Sequence, residues 1–334
     1  MQPTIFVTGG AGYVGGDFLS LVQEKHSTYR VRALVRSQQQ ALLLKAQFPE
    51  VECVYGEGAV RERLVAEGRL ADVVIQVAST DDEDLSFALL EGVAQHPGAT
   101  YLHVSGIATL IDPSIPYGEL DPKVFSDVAQ TEELLHLPHD RLHASIEQDI
   151  IAKAEASGTK VAIVSLPRMY GKGRGKLTGE SKVIEPYLRG VEARGRGFMA
   201  GAGRCVTSHA HVQDASSALM MLVEEALQGT SSKADWGRNG YYFVESGEGS
   251  FEKFATLVSR ELERQKFIAS TKVESLDDKD VAQVWEWGPK FWGSSSRSQA
   301  DRLRGLGWQP SGIKEEETIG ETIRSILGTR NAAE

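Results

Sequence analysis

Two titratable side chains four residues apart, His143 and Glu147, carry the sharpest chemistry in the sequence. Winding the segment from Leu142 as a helix at about 100° per residue places Ile146, Ile150, Ile151 and Ala154 within about 80° of His143, and Glu147 at about 40°. Both ionisable groups then face inward, where burial is costly unless they pair. A neighbouring carboxylate favours the imidazolium, so a histidine with an ordinary value of about 6.5 can hold a transferable proton near neutral pH. That proton suits a carbonyl oxygen as a hydride arrives, with Ser105 placed to orient the oxygen. A purely structural His–Glu pair at a helix start is the alternative, and the spacing leaves both open.

A hydride needs a carrier, and the first fifteen residues offer a place for one. An apolar run, Thr4-Ile5-Phe6-Val7, reads as a buried strand. It runs into Thr8-Gly9-Gly10-Ala11-Gly12-Tyr13-Val14-Gly15, after which Val14, Phe18, Leu21 and Val22 recur at helical spacing. Gly9 permits a tight turn, Gly12 lets a pyrophosphate approach the backbone, and Gly15 lets the helix pack close to the strand. The first amides of that helix carry the positive end of its dipole, which suits a dinucleotide phosphate. The next strand, Val31–Val35, ends in Arg36-Ser37 with no carboxylate to hydrogen-bond a ribose and repel a 2′-phosphate. A guanidinium beside a hydroxyl favours NADP(H) over NAD(H). The alternative is a surface arginine lying over the sheet edge.

The elements that must hold these residues alternate along the chain. Helices are expected at 38–47, 60–67, 83–95 and from about His139 to Ala156, the last after a long polar loop. Strands are expected at 51–55, 72–78, 100–105 and 160–165. The alternation implies an α/β fold, a doubly wound parallel Rossmann sheet with ligand outside the strands' carboxyl ends. Beyond Leu166 the strands shorten, with a helix expected at 214–226, a strand at 240–244 and a helix at 251–263. Residues 1–166 are therefore read as the dinucleotide-binding core. Residues 167–334 are read mainly as a small C-terminal α/β substrate lobe, with some segments returning to the core sheet.

The 334 residues are 41% hydrophobic and 25% charged, ordinary for a globular protein. A net charge of −10 argues against nucleic acid as a partner. Cys53 and Cys205 lack metal-ligand spacing, and no apolar run approaches the ~20 residues of a membrane span. With a strand beginning by Thr4 there is no room for a leader, so the expectation is a cytoplasmic protein that meets no membrane.

The opening motif, Val77-Ala78-Ser79, Pro167-Arg-Met-Tyr170-Gly171, His211-Val-Gln-Asp214 and Leu306-Gly-Trp308-Gln-Pro310 resemble the extended short-chain dehydrogenase/reductases, of the NAD-dependent epimerase/dehydratase kind. The resemblance spans nearly the whole chain. It implies that a cofactor touches Gly9, Gly12, Tyr13, Val14 and Gly15, with Ala78 and Ser79 near its ribose and Ser105 and Pro167 near the nicotinamide. It also implies a catalytic Tyr with a Lys four residues on, and no tyrosine here has a lysine at that offset. His143 and Glu147 occupy the matching segment, which marks an atypical member. The leading expectation is an NADP-dependent oxidoreductase acting on a small carbonyl or alcohol. A non-catalytic NADP-binding sensor, and epimerase or lyase chemistry at the same site, stay open. A homodimer is an assembly the resemblance allows.

Other clusters have plainer readings. His136, His139 and His143 lack accompanying carboxylates or thiols at ligand spacing, so no metal is expected. His209 and His211 are expected to line the cleft between lobes. Gly171-Lys-Gly-Arg-Gly-Lys176 lacks the leading glycine of a phosphate loop, and reads either as a lid over the cofactor or as a surface loop. Arg194, Arg196, Arg204 and Arg297 read as surface charges. Trp285, Trp287, Phe291 and Trp292 read as packing of the small lobe, or as an aromatic wall toward substrate or a second subunit.

Overall fold

The fold is that of a computed structural model, which describes residues 2–56, 60–175 and 181–328. Strands β1 (Thr4–Thr8), β2 (Arg30–Val35), β3 (Glu52–Tyr55), β4 (Val73–Gln76) and β5 (Thr100–Gly106) alternate with helices α1 (Tyr13–Lys25), α2 (Gln38–Gln47), α3 (Val60–Leu70) and α4 (Glu83–Val93). The expected polar loop contains a short strand, β6 (Phe125–Ser126), and one helical turn, α5 (Thr131–Leu134). Both are too short to leave a periodic trace in sequence. Then follow α6 (Ala144–Ser157) and β7 (Lys160–Leu166).

The second half opens with β8 (Arg168–Tyr170), α7 (Ile184–Arg194), β9 (Gly197–Ala200), β10 (Val206–His211) and α8 (Val212–Leu227). Next come β11 (Tyr241–Phe243), β12 (Gly247–Ser250), α9 (Phe251–Arg264), β13 (Val273–Leu276) and α10 (Asp278–Val284). The described chain ends with α11 (Gly288–Gly293), β14 (Ser298–Gln299), α12 (Asp301–Gly305) and α13 (Glu315–Gly328).

Seven strands form one sheet in the order β11-β7-β5-β4-β1-β2-β3, every neighbouring pair parallel. The apolar runs explain this: in β7 every residue after Lys160 is buried, as a strand covered on both faces requires. Strand order reverses between β1 and β4, which opens a crevice at their carboxyl ends. Two smaller sheets, β12-β10-β8 and β13-β9, belong to the later part of the chain, and a third pairs β14 with β6 of the polar loop.

Two apolar cores result. The larger surrounds the seven-stranded sheet and takes in α8, β11 and Trp308 from the second half of the chain. The smaller gathers Tyr187, Phe198, Phe254 and Trp292 between α7, α9, α11 and α13. The aromatic run thus divides: Trp292 is core, Trp285 stacks on Phe291 at 5.5 Å, and Trp287 is exposed.

The first turn is held by contact. The Gly12 amide donates to the Gly9 carbonyl at 2.8 Å, and a Cβ on Gly15 would lie 2.2 Å from that carbonyl oxygen. Replacing Gly15 with alanine must push helix from strand, at an expected cost of at least about 1–3 kcal/mol. Urea unfolding of Gly15→Ala checks this, and an unchanged midpoint would contradict it.

Candidate active site

The glycine-rich turn lies at the reversal of strand order. Gly9 has φ of +72°, and a Cβ there would meet the Ala78 backbone at 2.8 Å. Ala78 and Ser79 are in turn clamped by Gln76, whose side-chain oxygen accepts from both amides at 2.8 and 3.3 Å. A Cβ on Gly12 would meet only the Gly9 oxygen, at 3.1 Å, so that face of the backbone is otherwise open. Such an open cradle beside the first amides of α1, Tyr13 and Val14 among them, fits a dinucleotide pyrophosphate.

At the end of β2, Arg36 is exposed and its side chain forms no ion pair among the described residues. The Ser37 oxygen caps α2 by accepting from the Gln40 amide at 3.1 Å, which leaves its O–H available as a donor. Pro167 joins β7 to β8 and lines the cleft beyond them.

The segment Gly171–Gly175 is docked over this region rather than standing in solvent. Tyr13 donates its phenolic O–H to the Gly171 carbonyl, and Gly175 packs on Gly16. Asp17, fully buried in α1, accepts from the Arg174 amide and from its guanidinium, both at 2.8 Å. Burial alone would raise the Asp17 carboxyl, but hydrogen bonds from Arg174 and Ser216 outweigh it and hold the group below its ordinary value. Lys176 lies outside the described residues.

His143 does not sit within the helix. The helix α6 begins at Ala144, and His143 is its N-cap residue with φ of +68°, a left-handed conformation uncommon outside glycine. The expected His143–Glu147 pair is therefore replaced by two separate arrangements. His143 turns its Nδ1 to Asp81, 2.8 Å from Oδ1, and this hydrogen bond holds the Asp81 carboxyl below its ordinary value. An ionised Asp81 accepts a hydrogen bond from Nδ1–H, so Nε2 is the ring nitrogen left for chemistry. It lies beside Gly106, 3.4 Å from where a Cβ on that residue would stand.

Glu147 is buried and bonds elsewhere. Ser105 donates to its Oε1, and Tyr241 donates to its Oε2 at 3.0 Å. Burial raises the Glu147 carboxyl to about 7, with the Ser105 bond the largest opposing effect. Ser105 thus commits its hydroxyl proton to Glu147, and orients that carboxyl rather than a substrate oxygen. Asp81 and Tyr241 were not foreseen in sequence. The only local sign of Asp81 was the polar run Ser79–Asp82 directly after a buried strand.

The other histidines singled out in the sequence make contacts within the protein. His209 and His211 each set an edge against the Tyr170 ring, at 5.5 Å, and burial lowers both from their ordinary values. Neither lines the cleft; Thr207 on the same strand does. His211 instead caps α8, accepting from the Gln213 amide. His139 bonds Gln148, and His136 bonds the Glu132 carbonyl. Among the described residues no group of three His, Cys, Asp or Glu is arranged to hold a metal. Arg194 and Arg196 pair with Glu274, Arg204 with Glu119, and Arg297 with Glu248. No helix among the described residues is long and apolar enough to cross a membrane.

The pattern that defines the NAD dependent epimerase/dehydratase family matches residues 5–234, from the first strand through α8. The chain belongs to that family. It is 31% identical to an oxidase, ucsJ, of an Acremonium species, over 98% of this chain and 99% of that protein. Its fold is similar to that of a dTDP-glucose 4,6-dehydratase from Streptomyces venezuelae solved with NAD, with a TM-score of 0.69, 17% identity and 98% of each chain covered. It is also similar to a UDP-glucose 4-epimerase from Thermotoga maritima, with a TM-score of 0.65, 16% identity and coverage of 99% and 100%. The family's sheet and glycine turn account for the crevice and cradle described above.

The buried Glu147 carboxyl makes stability depend on pH in a definite direction. Below about pH 4.5 it is neutral in folded and unfolded chains alike. Between 4.5 and about 7 the unfolded chain ionises first, so stability is lost as pH rises, by up to about 3 kcal/mol. Urea unfolding at pH 5 and pH 8 should show a smaller loss in Glu147→Gln than in the natural protein. Equal losses would mean the carboxyl is not held neutral.

Proposed function

We propose that this family member is an NADP(H)-dependent oxidoreductase that reduces or oxidises a small carbonyl or alcohol, with His143 as the group that moves the proton. The observation that carries the reading is the position of Nε2 on the cleft at the end of β5, with Nδ1 anchored on Asp81. A bound nicotinamide supplies or accepts the hydride. His143 then gives its Nε2 proton to the substrate oxygen, or takes one in the reverse direction. Asp81 fixes the ring's tautomer and orientation. Glu147 and Ser105 form a buried brace beneath the end of β5, and hold the start of α6 where His143 projects from it.

The NADP(H) preference rests on Arg36 and Ser37. Arg36 is a permanently charged fork with no ion pair among the described residues, suited to a 2′-phosphate, and the Ser37 O–H can add a second hydrogen bond. A second reading, epimerase or lyase chemistry without net consumption of cofactor, is favoured by the dehydratase and epimerase among the solved structures of similar fold. Steady loss of NADPH absorbance with a carbonyl substrate separates the two.

Two substitutions test the proposal. His143→Phe keeps bulk and removes the proton, so NADPH oxidation should fall ~100-fold or more while NADPH affinity is unchanged. Unaltered turnover would remove His143 from the reaction. Arg36→Ala should weaken NADPH binding about tenfold or more and leave NADH binding as it was. Equal affinity of the natural protein for the two cofactors would refute the preference.

A further inference from the structure

The cleft that contains His143 encloses about 180 Å³. That is below the roughly 300–1,000 Å³ of pockets that hold drug-sized ligands. One wall comes from the core domain, at Gly106, Ile107 and Ile111; the other comes from the second half of the chain, at Val183, Lys290 and Phe291. Most of this lining is apolar, and its described residues include no aspartate or glutamate.

Its charges are unequal in effect. Arg168 clasps Glu315 through both terminal nitrogens, and both side chains are buried, so that pair adds no net charge. Thr207 and Ser296 spend hydroxyls on each other at 2.8 Å. Lys290 is different. It is half-buried, has no carboxylate partner among the described residues, and lies 5.7 Å from the centre of the Trp287 ring. In a chain of net charge −10, a lysine lining a cleft with no carboxylate among its described residues is a local reversal of the overall field.

We propose that the cleft takes a small organic monoanion, an apolar body bearing one carboxylate, and that Lys290 is the residue that selects the carboxylate. The carbonyl or alcohol on that body is the part that rests on the function proposed above; the choice of anion does not. The cleft's size limits the body to little more than a ring or a short branched chain. A single free ammonium matches one carboxylate, whereas a nucleoside diphosphate brings more charge and far more volume than the cleft offers. A site built to pair a charged group discriminates strongly against an analogue that lacks it, because the lysine is then left desolvated without a partner.

The test uses benzoate and methyl benzoate as probes with the full chain saturated with NADP⁺, and reads binding by calorimetry and tryptophan fluorescence. Benzoate should bind at least tenfold more tightly than its ester. Lys290→Met should abolish that difference, and Lys290→Arg should keep most of it. Both variants should match the natural protein in melting temperature and NADP⁺ affinity, which separates lost selection from lost folding. Equal binding of acid and ester, discrimination that survives Lys290→Met, or no binding of either probe would overturn the proposal. If discrimination is present but no carbonyl consumes NADPH, the proposed oxidoreduction fails while the anion site stands.

Discussion

The Glu147 carboxyl has no access to water, and its place in the structure depends on two hydroxyl groups from distant parts of the chain. Ser105 comes from the end of β5 and Tyr241 from the edge strand β11, so one side chain ties α6 to both. A charged carboxylate there would need desolvation that two hydrogen bonds offset only in part, hence the rise to about 7. The carboxyl acts as a brace. With α6 fixed on the sheet, the residue just before it can take the left-handed conformation that aims His143 away from the helix and toward Asp81. A residue in that conformation persists only where its surroundings over-determine it, and here both flanks are fixed by hydrogen bonds.

The same logic separates the two ionisable groups by task. Glu147 is dry and bound on both oxygens, so it holds position. His143 has one nitrogen committed to Asp81 and lines the cleft. Opposite it, the later part of the chain contributes Phe291 and Lys290 through α11, an element whose buried face is fixed by Trp292 in the smaller core. The glycine turn, His143 and Lys290 therefore stand on three separately packed supports.

How much of this was legible in the sequence follows from the range of each interaction. The sheet and the glycine turn were readable because apolar runs and turn residues are local signals. The strand at 240–244 was readable too, but not its pairing with β7, because nothing in a parallel strand's own residues names its neighbour. His143 and Glu147 were identified as a pair with chemistry, yet treated as points on one ideal helix. The departure of a single residue at the N-cap broke that geometry. Their real partners lie 62 residues away for His143 and 42 and 94 away for Glu147, and such contacts exist only after folding. His209 and His211 were read from strand alternation alone, which gives a face but not the aromatic ring that fills it.

The position of β11 has a consequence for the order in which the molecule can be made. This strand closes the edge of the main sheet beside β7, although it lies some eighty residues further along the chain. While the polypeptide is being synthesised, β7 presents an open row of backbone donors and acceptors until residues 241–243 emerge. Over the same interval Glu147 lacks one of its two partners, and the sheet lacks the cover of α8 and the Trp308 ring. The first 166 residues thus contain six of the seven strands but lack the edge strand and part of the core that covers them. Completion waits on long-range closure, the slow and aggregation-exposed kind of step. A nascent chain stalled before residue 241 would expose the sticky edge that the finished protein conceals.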